Sequence, residues 1–526
     1  MERISRIRAI SLLLIFAGIL ALYAIKLFDL QIIETDGDRD NTTVYSTITT
    51  VRAARGDILD RNGKVLVGNR ASYDLVFNHY VIKSADHRNE HLYRLYHKCK
   101  DLGSEYLDHF PVTKTRPFDY TLYEFPSAWQ KYFQNFMVDL KLDPDVTAPL
   151  LLERLREKYD IPEEWNDEEA RAVIGMRYEF DLRGVTNLPN YIFIEDVSDE
   201  DLSVILELNI PGLMVESSTV REYHTKYAAH VLGYLGGMDS DDWEKYKKQN
   251  YSMDAYIGQS GFEEAFEDYL HGIDGMRLDE VARDGTIISQ EYLKDPQAGA
   301  NVETTLDLGL QRIAEDALAK RMNELLDPNT NPKNEDAEDA EGAAVIVMEV
   351  KTGKILACAS YPTYNLATMH EDMEKILADP LKPFFNRAFG AYYAPGSTFK
   401  MCTLTSAMQN GKYQYQEIIT DKGVFDTYAG FQPKCLLWSL YPGATHGDLT
   451  GEKALEVSCN YFFYELGDRL SINQLDETAK GFGLGEPTGI ELVEKVGWRA
   501  NPESKKKYYS FINMGCLLCL VIVYFL

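Results

Sequence analysis

Positive charge is scarce in this sequence. Lys and Arg number 54 against 82 Asp and Glu, for a net charge of −28. Phosphate binding needs a basic excess, so nucleic acid is excluded as a partner. The acidic balance suits a body that stays dispersed in an aqueous compartment. Cysteine is sparse too: Cys99, Cys358, Cys402, Cys435, Cys459, Cys516 and Cys519 show no spacing that suggests a disulfide framework. Cys516 and Cys519 match C-x-x-C, but they lie in an apolar tail with no second pair and no histidine nearby, which argues against zinc there.

One stretch lacks charge altogether. Ala9 to Ile25 is uncharged, follows Arg3, Arg6 and Arg8, and is closed by Lys26. A run of that size just spans a bilayer, with the lysine snorkelling at its end. A cleaved signal peptide is the rival reading, but Leu22 and Ala24 make a poor cleavage site. The reading is therefore a cytoplasmic tail at 1–8 and an uncleaved anchor at 9–28, with the arginines keeping the N-terminus inside and the body outside. Free cysteines in an exported body point to a reducing or oxygen-poor habitat.

Beyond the anchor, 51–70 reads as strand, turn, strand about Asn62-Gly63. Residues 89–181 are mostly helical and polar, with helices in "DPDVTAPLLLERLREKY" and "DEEARAVIGMRYEF". The run 221–237 reads as a helix ending at Gly236-Gly237, and 259–272 as a helix capped by Ser260 with Glu263 three residues on. A long amphipathic helix covers 306–326, and the acidic, proline-containing 327–341 is an exposed linker. Next, "GAAVIVMEVKTGKILACASYP" predicts two buried strands joined at Thr352-Gly353, the entry to a second core.

Within that second core lies "APGSTFKMCTLTSAM". Ser397 and Lys400 are three apart, so a helix stacks them on one face. At a helix N-terminus the serine meets the dipole's positive end, and a desolvated lysine can take its proton. The plainer reading is a capping serine beside a surface lysine, and S-x-x-K alone decides nothing: Ser504 to Lys507 repeats it in a charged run. About sixty residues on, Ser458-Cys459-Asn460 forms an S-x-N triplet between an apolar helix end and an aromatic one. Ser471-Ile472-Asn473 repeats that pattern but reads as a plain N-cap.

S-x-x-K followed by S-x-N is similar to the penicillin-recognising serine acyl transferases. The chain as a whole resembles the class B, monofunctional penicillin-binding proteins, the peptidoglycan D,D-transpeptidases. The resemblance covers roughly residues 1–509. It rests on "RGDILDRNG" at Arg55 to Gly63, "AAHVLGYLGG" at Ala228 to Gly237, "GQSGFEEAFEDYLHGIDG" at Gly258 to Gly275 and "TTLDLGLQ" at Thr304 to Gln311. "PGSTFK", "SCN" and "GFGLGEPTGIEL" at Gly481 to Leu492 complete it. It implies an α/β transpeptidase domain of the serine acyl transferase type (incomplete here), at 342–510. An α+β pedestal or dimerisation domain at 29–326 and an N-terminal transmembrane helix would precede it. Ser397 would attack the penultimate D-Ala carbonyl of a stem peptide, with Lys400 as general base. Ser458 would relay a proton to the leaving amine, and Asn460 would bind the peptide amide. The Ser397 N–H would form half of the oxyanion hole. The resemblance implies no metal and no organic cofactor. Its partners would be peptidoglycan stem peptides, β-lactams, the membrane, a SEDS-family polytopic glycosyltransferase and other wall-synthesis proteins, at a bacterial cell membrane.

A third element of the family, Lys-Thr-Gly or Lys-Ser-Gly on a strand facing the serine, does not follow Asn460. The one Lys-Thr-Gly, Lys351 to Gly353, precedes the nucleophile and reads as a turn. Near Tyr509 the sequence leaves the family pattern and ends in an apolar tail, 511–526, short for a membrane span. The expectation is that the chain stops early. Without a second oxyanion donor it would lose about 3 kcal/mol of transition-state stabilisation. It would then bind penicillin feebly or not at all until strands with the third motif are supplied. A non-catalytic, membrane-anchored scaffold is the alternative. A secreted β-lactamase would need neither pedestal nor anchor.

Overall fold

The structure is a computed structural model of the 526-residue chain. It describes residue 23 and residues 44–502, apart from 126, 144, 186–189, 250, 252–254, 283–286, 328–339, 429 and 431. The expected tail at 1–8, the anchor at 9–28 (but for Tyr23), most of the acidic linker and the apolar tail at 511–526 lie outside the described residues. Among the described residues no helix is long and apolar enough to cross a membrane. The chain divides into two compact units: Met1–Thr225, Tyr234–Gln259 and Phe266–Thr304 form the first, and Lys226–Gly233, Ser260–Ala265 and Thr305–Leu526 the second.

The first unit carries strands β1 (Val44–Val51), β2 (Ile58–Leu59), β3 (Val65–Phe77), β4 (Tyr191–Ile194), β5 (Leu213–Tyr223), β6 (Leu235–Gly237), β7 (Tyr256–Gly258), β8 (Gly275–Ala282), β9 (Ile287–Lys294) and β10 (Val302–Glu303). The turn at Asn62-Gly63 joins β2 to β3 as expected. Gly63 takes a left-handed φ of +77°, and the Asp60 carboxylate accepts the N–H groups of Asn62 and Lys64 at 2.8 and 2.9 Å. β3 is the spine of a five-stranded sheet, antiparallel to β5 from Val67↔Tyr223 to Phe77↔Leu213, while β1, β8 and β9 form a separate three-stranded antiparallel sheet.

In the mostly helical stretch, α1 (Arg88–Leu102) and α2 (Ser127–Asp139) form first, and the two helices named from the sequence form as α3 (Ala148–Tyr159) and α4 (Asp167–Val185). They bury Leu92, Leu95 and Cys99, then Leu151, Leu155 and Tyr159, at helical spacing, against the aromatic cluster of Phe77, Phe180, Tyr191 and Phe193. Two ionic groups pass through this core. Arg171 pairs with Asp108 at 2.6 Å, and Glu179 accepts from Arg183 and from the His109 ring. Burial alone would raise the Glu179 carboxyl, but His109 and then Arg183 hold it at about 2.

Arg55 and Gly56 act as packing residues. The Arg55 guanidinium donates to Glu267 at 2.6 Å, and Glu267 also accepts from the Gly258 N–H at 2.9 Å. A Cβ on Gly56 would lie 2.0 Å from the carbonyl oxygen of Ala300, a rigid backbone atom. Gly56→Ala is expected to destabilise the first unit by about 1–3 kcal/mol, read as a lower denaturation midpoint; an unchanged midpoint would show that the strand moves aside freely.

Three sequence expectations for residues 221–326 need correction. Residues 221–237 are not one helix. β5 continues to Tyr223 because its alternating residues pair along β3. A four-residue helical turn, Ala229–Leu232, follows, and Gly233, at φ +78°, ends it before β6. The 259–272 helix is two short turns, Gly261–Ala265 and Glu267–Leu270, split where Phe266 leaves helical dihedrals; the break lets Glu267 serve Arg55. Ser260 does not cap it, since its buried hydroxyl has no hydrogen-bond partner among the described residues. The boundary at 326 also moves, because the long helix belongs with the second unit.

That unit contains α5 (Leu308–Leu326), β11 (Ala343–Met348), β12 (Ile355–Tyr361), α6 (Lys400–Gln409), β13 (Ile419–Asp421), α7 (Leu436–Leu440), β14 (Gly447–Leu449), α8 (Gly451–Glu456), α9 (Asn460–Arg469) and α10 (Ile472–Gly481). α5 packs Ala314 on Ala357 and Ala359 of β12, and the buried Gln311 amide bonds both the N–H and the C=O of Cys358 at 2.7 Å. Lys351-Thr352-Gly353 is the turn between β11 and β12, with Gly353 at φ +75°. β12 is buried as expected, but β11 is not: Ile346 and Met348 are 43% and 53% exposed. β11 pairs with β12 alone among the described residues.

His230, also in the second unit, is 8% exposed, and its Nε2 bonds the Pro383 carbonyl at 2.6 Å. Burial first, and the Arg387 charge, push the imidazole down to about 4 despite that bond. A depressed histidine adds stability that is whole above pH 6.5 and is lost as pH falls towards 4, up to about 3 kcal/mol. His230→Gln is expected to flatten the stability profile in that window. An equal acid-side loss in parent and variant would contradict this.

Candidate active site

Ser397 and Lys400 lie across the junction of a 3-10 turn, Gly396–Phe399, with α6. The Pro395-Gly396 pair sets the entry, with Gly396 at φ +55°, and the chain then turns directly into the helix. Ser397 is exposed, and neither its hydroxyl nor its N–H bonds another described residue. It therefore caps nothing, which removes the plainer reading of this serine; a free N–H at a helix start is what a developing oxyanion needs. Ser471, the decoy, does cap α10, in a reciprocal box with Gln474.

Lys400 reaches across to the S-x-N triplet. Its Nζ donates to Ser458 O at 2.8 Å, Ser458 Oγ at 3.0 Å and Asn460 Oδ1 at 2.5 Å. It sits 5.5 Å from the centre of the buried Phe463 ring, one turn along α9. Ser458 takes a left-handed φ of +51°, rare for a residue with a Cβ; this conformation accompanies a carbonyl and a hydroxyl that both meet Lys400. Asn460 opens α9, whose Phe462, Phe463 and Leu466 are fixed in the core. Ser406 Oγ ties α6 to Gln474 O of α10 at 3.0 Å. Thus Lys400, Ser458 and Asn460 are brought together from positions some sixty residues apart. Ser397 stands one turn ahead of Lys400 with its hydroxyl free of described partners.

Beside the triplet lies a group that the sequence reading missed. Asp421 ends β13, Cys435 caps α7, His446 precedes β14, and Cys459 is the middle residue of the triplet; their donor atoms lie within 4.8 Å of one another. His446 Nδ1 is 2.8 Å from Asp421 Oδ2 and 3.6 Å from Cys435 Sγ, and the two sulfurs are 3.9 Å apart. The Cys435 thiol is lowered, first by its hydrogen bond with Cys459; that same contact raises Cys459. Two thiols, an imidazole and a carboxylate could hold a zinc-sized cation. Their separations, each over ten residues, match no short motif.

Residues 50–304 match the penicillin-binding protein dimerisation domain, and 343–511 the penicillin-binding protein transpeptidase domain. The chain belongs to the class B penicillin-binding proteins. It is 32% identical over 315 residues to the peptidoglycan D,D-transpeptidase MrdA of Escherichia coli strain K12, covering 58% of this chain and 46% of that one. Against the MrdA of Acinetobacter baumannii it is 29% identical over 309 residues, 57% of this chain and 42% of that one. The matches thus span less than half the length of these two relatives. The penicillin-binding protein 2B of Streptococcus pneumoniae strain D39 is 24% identical over 93% of this class B chain and 71% of its own. Among solved structures, a complex of penicillin-binding protein PBP2 and MreC from Helicobacter pylori shares the fold, at a TM-score of 0.59 and 20% identity, over 91% of this chain and 74% of that one.

Proposed function

We propose that this class B penicillin-binding protein is a peptidoglycan D,D-transpeptidase that works through a serine acyl-enzyme. The observation that carries the reading is the triple hydrogen bond of Lys400 to Ser458 and Asn460, one turn from an exposed, uncommitted Ser397. Lys400, acting as the neutral amine, takes the proton of Ser397 Oγ as that oxygen attacks the penultimate D-Ala carbonyl, whose oxygen takes up negative charge against the Ser397 N–H. The C–N bond breaks, and the leaving D-Ala amine receives a proton relayed through Ser458 Oγ from Lys400. Asn460 orients the stem-peptide amide. The amine of a neighbouring stem then attacks the ester, forms the cross-link and frees Ser397. β-Lactams present a strained amide in the same place and remain on the serine.

The 9–28 segment, uncharged from Ala9 to Ile25, anchors the chain by one span, with the body outside the cell membrane. A SEDS-family polytopic glycosyltransferase and other wall-synthesis proteins are its partners. One protein of the same fold was solved within a peptidoglycan synthase complex, and another in a complex with MreC. Release of D-alanine from a peptide ending in D-Ala-D-Ala, on mixing with a second peptide amine, tests the reaction. The expected result is one D-alanine per cross-link, lost in Ser458→Ala; release that persists unchanged in Ser458→Ala would remove the proposed relay.

A further inference from the structure

Phe463 stands beside the proposed base, and the proposed reaction gives it no part. Asn460 and Phe463 are three apart on α9, so the helix presents both from one face. That face meets the half-buried Lys400. Asn460 Oδ1 accepts from its Nζ at 2.5 Å, and the Phe463 ring centre is 5.5 Å from the same nitrogen. The ring is held in place: it is 1% exposed, meets Phe462 edge-on at 5.4 Å and belongs to the core of the second unit. Phe462, the adjacent residue, instead packs edge-on to Tyr413.

The three oxygens that Lys400 bonds belong to a carbonyl, a hydroxyl and an amide, and all three groups are neutral. Charged side chains on the helices beside α6 have partners of their own. Lys453 of α8 pairs with Glu456, Arg469 of α9 with Glu417, and Asp476 of α10 with Arg499, while Glu465 accepts from Tyr461. We propose that Phe463 is a positioning residue for Lys400, its ring face holding the lysine while the Ser397 proton is on it; this rests on Lys400 as the base. An aromatic face carries the negative part of the ring quadrupole, so it attracts an ammonium and is nearly indifferent to an amine. The proton passes from Ser397 Oγ to Lys400 Nζ as the new C–O bond forms. The ring therefore favours the state reached during acylation over the neutral amine that precedes it.

The test replaces Phe463 in the full chain by phenylalanines bearing one, two and three ring fluorines. Each fluorine withdraws electron density from the face and changes the shape little. Two quantities are read. The first is the titration midpoint of Lys400, followed by NMR of lysine labelled with carbon-13 at Cε and assigned with Lys400→Arg. It should step down with each fluorine, by about half a pH unit at three. The second is acylation of Ser397 by benzylpenicillin. Above the midpoint the rate should fall along the series, by about threefold at three fluorines, whereas below it, where the lysine starts charged, the rate should hold. A residue that only fills the core would leave the midpoint still, or slow the reaction equally at both pH values. Either result would overturn the proposal. Phe463→Leu, which lacks the ring and leaves a void, should shift the midpoint in the same direction; a shift upward would also overturn it. If the parent chain does not acquire the adduct on Ser397, the transpeptidase reading fails, and the Lys400 midpoint alone decides whether the ring holds the charge.

Discussion

Lys400→Ala is expected to slow acylation of Ser397 by benzylpenicillin by about a hundredfold to ten-thousandfold, the range of a positioned general base. Ser397 keeps its place in the variant because the turn is set by Pro395, Gly396 and backbone bonds, not by the lysine. On the proposed mechanism, what is lost is the group that receives the serine proton and, with it, the contact that gathers Ser458 and Asn460. Lys400→Arg separates these two roles. A guanidinium still donates to the three oxygens but does not deprotonate near neutrality, so its rate should match that of the alanine variant while its fold is closer to the parent's. An arginine variant as fast as the parent would mean that Lys400 only gathers the site.

The second large effect belongs to the first unit. Arg171→Met is expected to cost about 3–5 kcal/mol, because it strands a buried carboxylate. The Asp108 side chain is fully buried, and Arg171 meets it at 2.6 Å while also donating to Phe110 O and Val112 O. The neighbouring helix leaves room for this: a Cβ on Gly175 of α4 would lie 2.2 Å from Asp108 Oδ2. Adding Asp108→Asn to Arg171→Met should recover part of the loss, since the stranded charge is gone. Denaturation midpoints of the parent, single and double variants measure this. If the double variant is less stable than the single, the charge is not the cause.

Sequence carried the local chemistry well. Asn62-Gly63 predicts a turn because few other pairs accept its dihedrals. Ser397 and Lys400 are one helical turn apart wherever that helix sits, and the order of the motifs carried the family. What it carried poorly was set by distant pairing. Residues 221–223 look helical until β3 takes them as the end of an eleven-residue strand. Ser260 looks like a cap until the chain breaks at Phe266. Asp421, Cys435, His446 and Cys459 converge only once β13, α7, β14 and α9 have folded together. Nothing in the sequence marks Ser458 as left-handed, although that dihedral accompanies the contact of its carbonyl with Lys400.

The central claim is that Ser397 is the nucleophile of an acyl transfer. Peptide mapping by mass spectrometry after prolonged incubation of the chain with excess benzylpenicillin tests it most directly. The predicted result is a single adduct, on Ser397, that is absent from Ser397→Ala. No adduct, an adduct on another residue, or undiminished labelling of Ser397→Ala would contradict it.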